Sequence, residues 1–446
     1  MSKATSLRTG AEVLGALQDQ PGGPQLLELA DGRSDVELVG GAVRDLLLGG
    51  TPRELDVVVA DDAAAFANEL ARRLNALAGR SSRENFQSSS HERFRTALVW
   101  CKGSRIDVAT RRSERYPAPG ALPEVSEGTP EQDLKRRDFT VNAIALSLGG
   151  AHRGELRAVP GALEDLSAGR LRVLHDGSFI DDPTRLLRLA RYRARLSFAI
   201  EEHTASLAAA AVRVRALETV SRARLGAELR LALSEPDIVG AIASIEDLGL
   251  LRALDTQLTF DEPVTRHALT LLAEADGDTH SDLLLLTSLF TRRGYPIAYF
   301  AEEQDLEQAV WLLNELEFLA TERDLVVKAL VDGPDIAFGL VHAKTPSDIH
   351  KAAARSSLEA VALIGALGAV FAQSKDCAIT QGARRWLTEL RSVRLQITGD
   401  DLLAAGVPQG PEVGRRLEAA LRTKLDGKLD GEGREAELRA ALEAQP

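Results

Sequence analysis

Between residues 36 and 60, short apolar β-branched runs flank one run of helical texture. Leu38-Val39 ends at Gly40-Gly41, an apolar stretch continues to Leu48, and Arg53-Glu54-Leu55-Asp56-Val57-Val58-Val59 follows. This pattern predicts strand, tight glycine turn, helix and second strand. Side chains two apart on a strand share a face, so Leu55 and Val57 point into a core while Glu54 and Asp56 project together. Alanine-rich helical periodicity runs from Ala63 to Leu77, and further strands are expected at Thr96–Trp100 and Arg105–Ala109. Residues 1–35 read as two short helices around the Pro21-Gly22-Gly23-Pro24 break. The stretch from Tyr116 to Glu131 is rich in Pro, Gly and Glu without periodicity and reads as a loop. Beyond about residue 156 the spacing of apolar positions becomes helical throughout.

Composition sharpens this picture. A chain of 446 residues is too long for one compact domain. Hydrophobic content of 44% supports real cores, and aromatic content of only 4% points to helix-on-helix packing by Ala and Leu. The net charge of −12 excludes a uniformly basic coat but not local basic faces. Cys101 and Cys377 match no metal spacing and read as buried free thiols. No stretch approaches membrane-spanning length, so a soluble cytoplasmic protein is expected.

Candidate chemistry gathers at the first strands. Two carboxylates on one rigid face, Glu54 and Asp56, suit a hard cation such as Mg²⁺. Gly40 and Gly41 remove Cβ atoms where a phosphate would approach backbone N–H groups, and Arg44 can add a fork of donors. Asp107 lies in an apolar-flanked strand. It is either a third carboxylate aimed at the same place or the outward face of an edge strand. Arg136-Arg137-Asp138 reads by itself as a solvated basic turn before a helix capped by Asp138. Asp182-Pro183-Thr184 is a strong helix start, after which Arg185, Arg188 and Arg191 form a stripe opposite Leu186, Leu187 and Leu189. Near the end, Gly410-Pro411 opens a helix carrying Arg415, Arg416 and, further on, Arg422. It could face a phosphate backbone or be an ordinary helix–turn–helix.

Taken in order, Gly-Gly-x-x-Arg-Asp, Leu-Leu-Gly and acid-x-acid within a strand resemble the nucleotidyltransferase superfamily that includes DNA polymerase β. Ile-Asp-Val-Ala-Thr at 106–110, Arg-Arg-Asp-Phe-Thr-x-Asn-Ala at 136–143 and Asp-Asp-Pro-Thr-Arg at 181–185 narrow this to class II tRNA nucleotidyltransferases and bacterial poly(A) polymerases. The resemblance is dense over about 36–230 and loose over the last fifty residues. One departure is Glu54, where the family usually has Asp.

The resemblance implies an α+β multidomain protein. A small mixed polymerase β-like sheet-and-helix head over 1–155 would precede an all-α neck over 156–232, a body over 233–330 and a tRNA-binding tail over 331–446. It also implies addition of C and A from CTP and ATP to the 3′ end of tRNA, releasing pyrophosphate with Mg²⁺ as cofactor. Glu54 and Asp56 would be metal ligands and Asp107 a third carboxylate. Arg136, Arg137 and Asp138 would serve the ribose and phosphates. Asp182, Arg185, Arg188 and Arg191 would select the base, and Ser221–Leu229 would brace the neck. Full CCA addition is preferred over CC-, A- or poly(A)-adding activity because the 116–131 stretch is unbroken. A degenerate tRNA-binding protein and a small-molecule transferase are the rival classes. Neither His267 nor His280 sits in a His-Asp pair, so a fused phosphohydrolase domain is not expected, and the oligomeric state is open between monomer and homodimer.

Overall fold

The computed structural model describes residues 5–78, 86–91, 95–101, 104–291, 303–374 and 376–444. These fall into two compact units, residues 1–221 and 222–446.

The first unit is built on a seven-stranded sheet. Its strands are β1 (Glu37–Val39), β2 (Leu55–Val59), β3 (Gln87–His91), β4 (Thr96–Cys101), β5 (Ser104–Thr110), and, after an intervening hairpin of β6 (Arg112–Arg115) and β7 (Glu124–Glu127), β8 (Ile144–Ser147) and β9 (Leu156–Ala158). They lie in the order β3-β4-β5-β2-β1-β8-β9. All neighbours are antiparallel except β2 and β5, which run parallel with Asp56 opposite Asp107. β5 is therefore an interior strand, and the edge-strand reading of Asp107 falls.

Two helices, α1 (Gly10–Gln18) and α2 (Gly23–Ala30), precede the sheet, as the Pro-Gly break predicts. α3 (Gly40–Leu47) connects β1 to β2, and α4 (Ala63–Ala78) follows β2. α4 lays Phe66, Ala67, Leu70, Ala71 and Leu74 on the sheet, the three-and-four spacing of an amphipathic helix. Each such Leu or Phe contributes about 1.5–3 kcal/mol of burial. α3 is different: it is buried nearly all round, Arg44 and Asp45 included. α5 (Pro130–Lys135) opens with a capping box between Thr129 and Gln132, with Pro130 at its first position.

Four expectations need correction. The 116–131 stretch is not all loop, since Glu124–Glu127 pairs with Arg112–Arg115. Polar alternation at an exposed hairpin carries too little apolar signal to be read as strand. The second strand begins at Leu55, one residue after Glu54. Asp138 does not cap a helix; only a single 3₁₀ turn, Thr140–Asn142, follows it. The region beyond 156 is not wholly helical either. β9 completes the head sheet across the expected boundary at 155, and β10 (Arg170–Leu171) pairs with β11 (Ala199–Ile200) between α6 (Ala162–Ala168), α7 (Ser178–Asp181), α8 (Thr184–Leu196) and α9 (Glu202–Arg213).

The second unit is helical among its described residues. It contains α10 (Arg222–Leu233), α11 (Ile238–Asp247), α12 (Leu250–Leu254), α13 (Glu262–Ala273), α14 (Ser281–Ser288), α15 (Glu303–Glu315), α16 (Ala320–His342), α17 (Pro346–Ala353), α18 (Leu358–Phe371) and α19 (Ala378–Thr388). α20 (Gly399–Ala404), α21 (Pro411–Leu425) and α22 (Gly433–Glu443) complete it. α18 packs on α13 and α19, where a Cβ on Gly365 or Gly368 would stand 2.8 or 2.7 Å from side chains of α19. A smaller core of Ile397, Leu402, Val407, Ala420 and Ala441 joins the last three helices. No single helix among the described residues is long and apolar enough to cross a membrane. Cys377 is half-buried, its Sγ 3.1 Å from Thr380 Oγ1, rather than buried as expected; the side chain of Cys101 lies outside the described residues.

The helix at Ser221–Leu229 corresponds to α10, which opens the second unit. Arg230 on it donates to the carbonyls of Leu316 and Glu317 just after α15, at 2.8 and 2.9 Å. A Cβ on Gly226 would stand 1.9 Å from the Leu316 carbonyl oxygen, a backbone atom with little freedom to move. Gly226→Ala is therefore expected to lower stability by about 1–3 kcal/mol or more. Gly15→Ala, with nothing within 4 Å of the new methyl, should be neutral or stabilising by up to about 1 kcal/mol. Urea unfolding of both variants, followed by far-UV circular dichroism and tryptophan fluorescence, checks the pair. Equal effects would contradict the close helix contact.

Candidate active site

Parallel pairing of β2 with β5 places side chains of matched register on the same face of adjacent strands. Asp56 and Asp107 are such a pair, and Glu54, two residues before Asp56, joins them. One carboxylate oxygen from each of the three lies within 4.8 Å of the other two. Burial and then repulsion from Glu54 push the Asp56 carboxyl up to about 7, although Arg137 pulls the other way. Burial and the Asp107 charge also raise Glu54. Arg105, two residues before Asp107 and so on the same face, reaches both Asp107 (2.9 Å) and Glu54 (3.2 Å).

Gly40 opens α3 with φ +67°, a conformation that a side chain resists. A Cβ there would also stand 2.7 Å from Arg137 Nη1 and 3.5 Å from Asp56 Oδ2. Glycine thus lets the guanidinium of Arg137 lie between the turn and the carboxylates. Arg137 donates to Asp133 at 3.0 Å, and its Nε is buried without a hydrogen-bond partner. A buried orphan donor of this kind costs roughly 1–3 kcal/mol and suits an anionic ligand. Arg136 is held by Asp133 and Glu114, at 2.8 and 2.9 Å. Three oxygen donors, Gly40 and Arg137 together have the chemistry of a divalent cation beside a phosphate. The residues present fit such a metal.

The arginine stripe is not a solvated surface. Arg185 is 4% exposed and donates to Ser178 Oγ (2.7 Å), the Arg136 carbonyl (2.9 Å) and the Tyr116 hydroxyl (3.4 Å). Asp182 accepts from the hydroxyl of Thr184 at 2.7 Å at the start of α8. Arg188 binds Asp138 through Nε and Nη2, at 2.9 and 2.6 Å. Burial alone would raise Asp138, but Arg188 and Asn142 outweigh it and hold the carboxyl at about 2. Arg191 and Arg188 stand over the Tyr192 ring, 4.9 and 5.5 Å from its centroid.

Arg44 sits differently from the expectation of a triphosphate ligand. It is 1% exposed, donating to Asp45 (2.8 Å) and to Asn142 (2.5 Å) and lying 5.2 Å from the Tyr192 ring centroid. In this arrangement it braces the 140–142 turn against α3, with its guanidinium beside Gly41. Asp133, Asn142, Ser178 and Tyr192 hold the site together, and the sequence reading assigned them no part. Arg105 and Asp133 carried a usable signal: the first shares Asp107's strand face, and the second lies three and four residues before two arginines.

In the second unit the tail arginines separate. Arg416 Nη1 donates to the carbonyls of Ala441, Leu442 and Ala444, at 3.2, 2.6 and 3.1 Å, and its other nitrogens bind Glu412. It therefore clamps the C-terminal end of α22 and is not the open phosphate contact expected. Arg415 and Arg422 are exposed.

Residues 36–172 match the Poly A polymerase head domain. The CC-adding tRNA nucleotidyltransferase of Deinococcus radiodurans is 36% identical over 326 residues, which cover 69% of this chain and 83% of that protein. This chain belongs to the tRNA nucleotidyltransferase family. The A-adding tRNA nucleotidyltransferase of Geobacter sulfurreducens is 32% identical over 91% of the chain, and the chain spans 45% of that relative's length. Among solved structures, the Thermotoga maritima CCA-adding enzyme complexed with tRNA-CCA matches with TM-score 0.73 and 26% identity, covering 98% of each chain. The matched head domain contains Glu54, Asp56, Asp107 and Arg136–Asp138; α8 with its arginines lies beyond it.

Two outcomes follow for this family member. The raised Asp56 carboxyl means that the folded, metal-free protein binds more protons than the unfolded chain between about pH 4 and about 7. Stability in chelator should therefore fall as pH rises through that window and level off above it, and Asp56→Asn should remove that part of the slope. Divalent cation affinity should run the opposite way, strengthening up to about pH 7. Chemical denaturation in EDTA and calorimetric titration across pH 4–8 measure both. In the tail, Arg415→Glu with Arg422→Glu should leave the melting temperature nearly unchanged, because both side chains face solvent. Arg416→Ala should instead lower it, because the end of α22 loses its clamp, as read by thermal melting.

Proposed function

We propose that this protein adds C and A nucleotides from CTP and ATP to the 3′ end of tRNA by metal-dependent nucleotidyl transfer. The observation that carries the reading is the Glu54–Asp56–Asp107 cluster beside Gly40 and Arg137, within a chain of the tRNA nucleotidyltransferase family. Glu54 and Asp56 would hold Mg²⁺, with Asp107 as the third carboxylate. When bound, the metal supplies Lewis-acid activation of the tRNA 3′-hydroxyl and neutralises charge at the α-phosphate. The protein's own groups do the remaining work. The carboxylates, fixed on two paired strands, align the attacking hydroxyl. Arg137 binds the triphosphate or ribose with the donors that Asp133 leaves unused. Arg136, locked by Asp133 and Glu114, fixes the turn that carries both. Arg44 acts through Asn142 and α3, as a positioning residue.

Base choice falls to Asp182 and Arg185. Cytosine and adenine each show an amino donor beside a ring-nitrogen acceptor, and a carboxylate beside a guanidinium satisfies both. Uracil and guanine show the reverse order and would leave two unpaired groups, at roughly 1–3 kcal/mol each. Arg185 is pre-organised by Ser178 and the Arg136 carbonyl, and its longer contact to Tyr116 is the one a base edge replaces. Arg188, Arg191 and Asp138 keep α8 in register with the head. Arg415 and Arg422 supply sequence-independent RNA contacts.

A second reading, that the chain adds only CC or only A, is favoured by the activities named for its relatives. End-sequencing of tRNA transcripts lacking CCA, ending in C and ending in CC, after incubation with CTP and ATP, separates these. Full addition extends all three, whereas an A-adding enzyme extends only the last. Asp56→Ala should abolish extension and spare tRNA binding. Asp182→Ala and Arg185→Ala should raise UTP or GTP use relative to CTP and ATP. A uniform loss with unchanged preference would make the pair structural.

A further inference from the structure

Three carboxylates within 4.8 Å of one another are a concentration of negative charge that a folded chain does not leave unanswered. The counter-charge is a single guanidinium. Arg105 Nε and Nη2 meet the two oxygens of Asp107 at 2.9 and 3.2 Å, and Nε also lies 3.2 Å from Glu54 Oε2. This guanidinium bridges the carboxylate in the middle of β5 to the carboxylate just before β2. Arg137 approaches the same cluster from the Gly40 side, but it is anchored to Asp133. Among the described residues Arg105 has no anchor of that kind: its side chain is 56% exposed, and its charged partners there are Asp107 and Glu54.

We propose that Arg105 is the resident counter-cation of the metal-free cluster and is displaced when a divalent cation binds. The inference rests on the proposed metal role of Glu54 and Asp56. A guanidinium and a metal ion compete for the same oxygens, so each lowers the affinity of the other. Exposure makes the exchange feasible, because the long side chain can swing into water without leaving a cavity. Glu54 contributes to the arrangement. Its side chain is 44% exposed, and its terminal carboxylate meets the guanidinium from the position before β2. The arginine thereby offsets the repulsion among the carboxylates without metal, and it sets a threshold of metal concentration for filling the site.

The test uses Mn²⁺ as the probe, with binding to the full chain followed by the loss of its free-ion electron paramagnetic resonance signal. Arg105→Gln and Arg105→Ala should bind Mn²⁺ about 3- to 10-fold more tightly than wild type at low ionic strength. Arg105→Lys, which keeps the charge, should stay close to wild type. Without metal, the Gln and Ala variants should melt earlier than wild type and gain more from added Mn²⁺. A purely structural arginine would lower the melting temperature without tightening Mn²⁺ binding. Equal or weaker binding in both neutral variants, with wild type binding normally, overturns this inference alone. Absence of Mn²⁺ binding in wild type and variants alike overturns the proposed metal chemistry as well.

Discussion

The parallel contact between β2 and β5 is the constraint from which the rest of the site follows. Parallel register fixes Asp56 beside Asp107, and strand alternation brings Glu54 and Arg105 onto the same face. Mutual repulsion and partial desolvation make this arrangement unfavourable by itself, as the Asp56 carboxyl near 7 records. What surrounds it can be understood as compensation. Arg105 bonds Asp107 and Glu54, Arg137 approaches beside Gly40, and Gly40 supplies the backbone conformation and the missing Cβ that let Arg137 approach. Asp133 then holds both Arg137 and Arg136. A sheet that paired these strands antiparallel would match different residues and disperse the charge.

Charged groups also join α8 to α3 and the 138–142 segment, where apolar residues would serve most folds. Asp138 and Arg188 form a largely buried pair, Arg44 is enclosed with Asp45 and Asn142, and Tyr192 offers its ring to three arginines. Such pairs add little net stability, since desolvation offsets most of the Coulombic gain. Removal of one partner nevertheless costs about 3–5 kcal/mol. Their consequence is geometric. The head and α8 can pack in one register only, because any slip strands a buried charge. Arg185, bonded to the backbone of Arg136, inherits that register.

The second unit shows how a chain of net charge −12 can still present basic groups to solvent. Position decides which arginines are available. Arg416 and Lys424 are engaged in holding the terminal helices, the latter with the buried Glu437, while Arg415 and Arg422 on the same α21 face solvent. Composition averages over these cases, and only a helix's packed face separates them.

Local spacing of residues already dictates the strand–glycine–helix–strand order, the shared face of Glu54 and Asp56, α4, and the helical texture of the second half. These depend on periodicities of 2 and 3.6 and on glycine's backbone freedom, all local. The sequence also carried the motifs by which the family is recognised. Tertiary structure decided the rest. Whether Asp107 faced the same site depended on which strand β5 paired with, a contact between residues some fifty positions apart. Whether Arg44 and Arg416 face solvent or hold neighbouring elements depended on which oxygens stood within about 3 Å. An arginine has the same pattern value in either role, since its long side chain can turn to water or to an internal acceptor. The hairpin at 112–127 and the sheet strand at 156–158 escaped notice for a related reason: their pairing partners, not their own apolar spacing, make them strands.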